Sequence, residues 1–172
     1  MRSTLLSVAL LLIGATVFAQ PSGLENHPDW GSRTETYNKE WPSPPAAVSI
    51  DPAGDTTLIH EVTETVRATA RFGRAGLYLV VIEMLFGWED GALAVYEARR
   101  DEVRAAAHAQ RCQFTEGTPR DSVLADATAS CSDGTATTIS LSRIAKAGQT
   151  LARYAEEMSY GERATPQPLR TR

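Results

Sequence analysis

Leu77-Tyr78-Leu79-Val80-Val81-Ile82-Glu83-Met84-Leu85-Phe86 is the most apolar run of the chain beyond its N-terminal leader, with Glu83 its one charged member. Its reading decides the fold. A run that is apolar on every side has no period to separate helix from strand. Val80-Val81-Ile82 favours a strand, whereas Met84, Leu85 and the length favour a helix. The run is read as a buried helix at the centre of the core. A strand paired with 61–72 is the competing reading.

The flanking segments lean the same way. Over 55–72, Leu58, Ile59, Val62, Val66, Ala70 and Phe72 gather on one helical side, with His60, Glu64, Arg67 and Arg71 opposite. Asp55 suits an N-cap and Gly73 the residue after the last turn. The segment 91–111 reads as a helix more clearly than these, and 141–158 is the cleanest amphipathic helix of the chain. Glu89 and Asp90 stand at its start, and Arg104, His108 and Arg111 near its end, as the helix dipole favours. Thr118-Pro119-Arg120-Asp121 resembles a capping box, followed at spacing four by Val123, Ala127 and Cys131. A hairpin of 123–132 with 135–142 competes here. Its two-residue register around Asp133-Gly134 would set Ile139 and Leu141 against Thr128 and Asp126. Over 141–158, Leu141, Ile144, Leu151, Tyr154 and Met158 share one helical face, and Arg153 precedes Glu157 at ion-pair spacing.

The chain therefore reads as mainly α: a small bundle of four to five helices over 55–158 with one disulfide. An extended, Pro-rich arm over 20–54 precedes the bundle, and a flexible tail over 159–172 follows it. The alternative is an α+β domain with hairpins near 58–86 and 123–142.

Residues 1–19 have the form of a secretory signal: Arg2, an apolar run over 5–15, and small residues before the predicted cleavage site. The apolar run is shorter than a membrane-spanning helix requires, so no transmembrane segment is expected after cleavage. Export into an oxidising compartment, periplasm or extracellular space, predicts a Cys112–Cys131 disulfide. That bond restricts the helices. Two straight antiparallel helices over 91–112 and 119–131 would hold the cysteines ~18 Å apart, so either the first ends near His108 or the second is not a helix.

The chain carries 17 basic and 21 acidic residues, a poor match for nucleic acid or anionic lipid. The motifs of nucleophile elbows, dinucleotide and phosphate loops, haem attachment and di-iron bundles are all missing. Glu83, inside an apolar run, must find a partner or reach a cleft, and is the weak candidate for an acid/base. His60-Glu61-Val62-Thr63-Glu64 has the shape of a zinc-protease motif with Glu64 in place of the second His. His60, Glu64 and His108 are the weak metal candidates, and no cofactor is assigned. Trp30 and Trp41, in the arm, are weak candidates for partner contact. The expected function is non-enzymatic binding or interaction with an unidentified protein or small molecule in the cell envelope or outside it. An exported hydrolase or lyase acting through Glu83, and a metal-binding helical bundle, are the alternatives.

Overall fold

The computed structural model describes residues 29–39 and 44–161. The leader over 1–19, Trp41 and residues 162–172 lie outside these residues. Ser159 and Tyr160, read as the start of the tail over 159–172, end a strand, and the arm read as extended over 20–54 contains the helix Thr34–Lys39 and the strand Ala47–Ile50. Within them the chain is not a helical bundle. It forms one eight-stranded antiparallel sheet with two helices: α1 (Thr34–Lys39), β1 (Ala47–Ile50), β2 (Thr56–Thr63), β3 (Val66–Gly73), β4 (Gly76–Phe86), α2 (Glu89–Ala109), β5 (Gln113–Glu116), β6 (Val123–Ser130), β7 (Thr135–Lys146) and β8 (Gln149–Tyr160). The strand order is β1-β2-β3-β4-β8-β7-β6-β5. Each half is a helix followed by a four-strand meander, and the halves meet where β4 pairs with β8.

The decisive run is thus strand β4, at the centre of the sheet rather than inside a bundle. It pairs with β3 on one side and β8 on the other, so its β-branched core outweighs Met84 and Leu85. The competing hairpin reading had the right state. The segment 55–72 is likewise a hairpin, β2 with β3, turning at Thr63–Val66. The 118–131 segment is a tight turn and strand β6, paired with β7. Its loop is longer than the two-residue turn, so Ile139 lies opposite Ala127 and Leu141 opposite Ala125. A one-residue slip exchanges the two faces of a strand, which removes the mismatch with Thr128 and Asp126. The segment 141–158 is the hairpin β7–β8. Ala147 and Gly148 form its two-residue turn with φ of 50° and 77°, the left-handed pair that fits the twist of the flanking strands.

The helix over 91–111 is present as α2 and stops at Ala109, with Arg111 in the left-handed region at φ 58°. The reversal brings Cys112 beside Cys131, with Cα atoms 4.4 Å apart in a disulfide. The helix ends one residue past His108 and 118–131 is not a helix, so both ways of bringing the cysteines together are present.

Both helices lie on one face of the sheet. α2 covers Ala127, Ala129, Ile139, Leu141, Ala152 and Tyr154 with Ala92, Tyr96, Val103 and Ala107. In α1, Tyr37 covers Leu58, Ala70, Phe72, Leu77 and Val80. The chain before α1 is fastened to the β3–β4 turn. Gly31 N–H donates to the Leu77 carbonyl, and Leu77 N–H to that of Ser32. Gly76, at φ 101°, lies so close to the Gly31 backbone that a Cβ would overlap it. Trp30 stacks on Tyr160 with ring centroids 6.0 Å apart.

Candidate functional site

The other face of the sheet carries no helix or strand among the described residues. Antiparallel pairing arranges its side chains in rows across all eight strands. The central row is Ala47, Ile59, Thr69, Val81, Glu157, Thr138, Thr128 and Thr115. The hydroxyls of Thr128 and Thr138 are hydrogen-bonded at 3.1 Å, and the Thr115 hydroxyl reaches the Thr128 carbonyl at 3.5 Å. The next row toward the β2–β3 turn is Glu61, Arg67, Glu83, Ala155, Ser140 and Asp126.

The second row begins as a strip of alternating charge. Arg67 donates to Glu61 at 3.4 Å, and Arg153, two residues from Ala155 and opposite Leu85, forms an ion pair with Glu83. Opposite charges on neighbouring strands reinforce pairing modestly when exposed. Farther out, Arg71 meets Asp51 at 3.6 Å and Arg120 meets Asp126 at 3.5 Å. Glu157 stands apart from this pattern. It lies mid-sheet between Val81 and Thr138, and no ion pair among the described residues involves it. Burial pushes its carboxyl above the usual carboxylate range. The folded-state value exceeds the unfolded one, so the charge costs stability as pH rises from the ordinary carboxylate range through the raised value. A cation placed there would reverse that cost.

At the lower end of the face, the β2–β3 and β7–β8 turns rise on either side of the end of β4. Between them is an open groove of about 270 Å³ lined by Glu61, Glu64, Arg67, Glu83, Lys146 and Arg153, with Leu85 among the apolar residues. A shallower hollow of about 380 Å³ adjoins it over Leu85, Phe86 and Leu151, and shares Glu64 and Lys146. Glu64 and Lys146 take part in no ion pair among the described residues, so the rim offers one charge of each sign.

The residues singled out from sequence fall in different places. Glu83 lies on the open face, in the groove wall and against Arg153. Glu64 is in the β2–β3 turn beside it. His60 is on the covered face, 1% exposed, with its ring centroid 6.1 Å from that of Tyr37. The helix face that would have set His60 beside Glu64 does not exist. His108 is exposed in the last turn of α2, which packs on β4–β8 and not on β2. Among the described residues no group of three or more His, Cys, Asp or Glu is arranged to hold a metal ion. Trp30 packs on the core cluster beneath α1.

Glu157 and Arg153 escaped the sequence reading as site residues because a helix would have paired them with each other. In a strand they share a face but stand ~13 Å apart, so Arg153 turns to Glu83 and Glu157 is left without a cation. The strand sets Leu151, Arg153, Ala155 and Glu157 on one side and Ala152, Tyr154, Glu156 and Met158 on the other, a division that Leu151 and Glu156 blur in the sequence. Comparison with protein-family profiles, with curated proteins and with solved structures returns no match for this chain.

Proposed function

We propose that this protein is an exported, non-catalytic binding protein that takes its partner on the open face of the sheet. The observation that carries the reading is the pairing of charges on that face. Cations and carboxylates across it neutralise one another, yet the one carboxylate in the middle stands alone and partly desolvated. Such a group is costly for the isolated fold. It becomes favourable when a partner supplies an ammonium or guanidinium, with Val81 and Ile59 offering apolar contact and the threonine row hydrogen bonds. Export rests on the form of residues 1–19 together with the disulfide, a bond that persists in oxidising compartments. No helix among the described residues is long and apolar enough to cross a membrane.

The test is photo-crosslinking in cells that produce the chain. A photoreactive residue at Thr138 should yield a discrete adduct that is absent when the probe sits at Glu97 on α2. Glu157→Lys should reduce the adduct at least tenfold. Equal labelling from both probes, or an adduct indifferent to Glu157→Lys, would dismiss the open face as the binding site.

A second reading draws on the groove. Glu83 shares it with Glu61 and Glu64, and glycoside hydrolysis needs two carboxyl groups on either side of one bond. Glu61 and Glu83 lie two strands apart, so ~10 Å separates their backbones. Both carboxylates face a guanidinium, which suits a register-holding strip as well as it suits catalysis. Assay of the protein and of Glu83→Gln on a panel of oligosaccharides decides. Hydrolysis lost in the variant with its fold intact supports the reading, and no turnover by the parent protein removes it.

A further inference from the structure

We infer that β1 is a self-association edge, through which two copies of this chain pair into one continuous sixteen-stranded sheet. The observation is independent of the open face and of what binds there. β1 is a terminal strand of the sheet, and all four of its residues are exposed. Val48 is 60% exposed and Ile50 71%, two of the few large apolar side chains exposed among the described residues. Protein sheets usually protect such an edge with charge, proline or a bulge. Ala47-Val48-Ser49-Ile50 has no charge, and Pro45 and Pro52 stand outside it. The opposite edge differs. β5 carries Glu116, which Arg104 of α2 engages, and Phe114, which lies 5.3 Å beneath the Arg104 guanidinium.

The hydrogen-bond parity of β1 selects a register. Asp51 N–H donates to the Asp55 carbonyl at 3.0 Å, so by alternation residues 47, 49 and 51 turn their backbone groups toward β2. Val48 and Ile50 turn theirs outward. A two-fold axis normal to the sheet keeps the covered face of both copies on the same side. It then allows registers centred on residue 48, 49 or 50. Centring on Ile50 sets Val48 against Pro52, which has no N–H. Centring on Val48 sets Ile50 against Ala46, whose N–H is already given to the Ile59 carbonyl. Centring on Ser49 sets Val48 of each copy against Ile50 of the other. All four outward N–H groups and all four carbonyls then pair, and four aliphatic side chains are shielded on the helix-bearing side. The edge is self-complementary in this register. A four-residue strand is a small interface, so the dimer is weak and concentration-dependent.

The Ser49-centred register fixes a test that does not depend on affinity. Ser49 of one copy faces Ser49 of the other as a non-hydrogen-bonded pair, with Cα atoms ~4.5 Å apart, within reach of a disulfide. The full chain carrying Ser49→Cys, with Cys112–Cys131 intact, should form a disulfide-linked homodimer on mild oxidation. Ala47→Cys, which faces residue 51 of the other copy, should cross-link at least tenfold more slowly. Sedimentation of the unsubstituted chain should show mass rising from one chain toward two with concentration. Ile50→Lys should hold it at one chain with an unchanged circular dichroism spectrum. Equal cross-linking of the two cysteine variants, a single-chain mass at every concentration, or growth beyond two chains would each overturn the proposal.

Discussion

Arg99→Ala should lower the unfolding free energy by about 3–5 kcal/mol, the cost of stranding one partner of a buried ion pair. Arg99 leaves α2 through the covered face and meets Glu156 of β8 in a two-bond clasp, at 3.0 and 2.6 Å. Both side chains are nearly out of water, at 13% and 10% exposure. The Tyr154 hydroxyl donates to the same carboxylate at 3.0 Å, and Glu102 holds the outer nitrogen of the guanidinium. Burial works against the guanidinium charge, but the hydrogen bonds and charge of Glu156 outweigh it and raise the Arg99 pKa further. Burial and the Glu156 charge likewise push the Tyr154 hydroxyl far above its ordinary value. Truncating Arg99 leaves a carboxylate stranded beneath a helix, where desolvation is no longer offset. Replacing the whole cluster with Arg99→Met, Glu156→Leu and Tyr154→Phe should recover most of the loss, because a packed apolar substitute avoids desolvation. Urea unfolding of the parent, single and triple variants reads both effects. A loss below 1 kcal/mol for Arg99→Ala would show that the pair is wetter than its geometry indicates.

The same cluster explains why the fold was hard to read in the sequence. Strands announce themselves by alternation, and β8 should have read apolar-polar over its whole length. Glu156 occupies an inward position because Arg99 awaits it, 57 residues away, and no local pattern contains that partner. On β2 the inward His60 breaks the alternation in the same way. With these two positions scored as polar, a helical stripe fits 55–72 and 141–158 better than a strand does. β4 failed for the opposite reason. Apolar residues stand on both its faces, because Leu79, Val81 and Leu85 line the open side while Val80, Ile82 and Met84 line the core. Helix α2 was legible because its pattern is local, with acids at one end and a packing stripe along its length. The disulfide was expected from the signal-like form of residues 1–19 and the even cysteine count, and its reach ruled out two straight antiparallel helices over 91–112 and 119–131. The open face was invisible in advance, since it depends on strand register. Glu83 was singled out as an acid in an apolar run, and its partner Arg153 becomes apparent only when β4 and β8 are adjacent.

Removing the Cys112–Cys131 bond should be the second large effect. The bond closes a loop of 19 residues, for which the chain-entropy account predicts a loss of about 3 kcal/mol. For a domain of this size that corresponds to a fall of roughly 10 °C in the unfolding midpoint. The damage should not be spread evenly. Cys112 follows the end of α2, where its N–H donates to the Ala107 carbonyl, and Cys131 opens the β6–β7 turn, where its N–H donates to that of Thr135. The bond therefore ties the end of the helix and the start of β5 to the end of β6. β5 is a four-residue edge strand with a single neighbour; without the bond it is held by its ladder to β6, the Arg104–Glu116 pair and Phe114 beneath Arg104. In the Cys112→Ser, Cys131→Ser variant, hydrogen exchange should accelerate first over 110–117 and the last turn of α2. The β4–β8 centre should keep its protection until global unfolding. Equal acceleration at β5 and β4 would mean that the sheet loses stability as one unit, and that the bond acts on the unfolded chain alone.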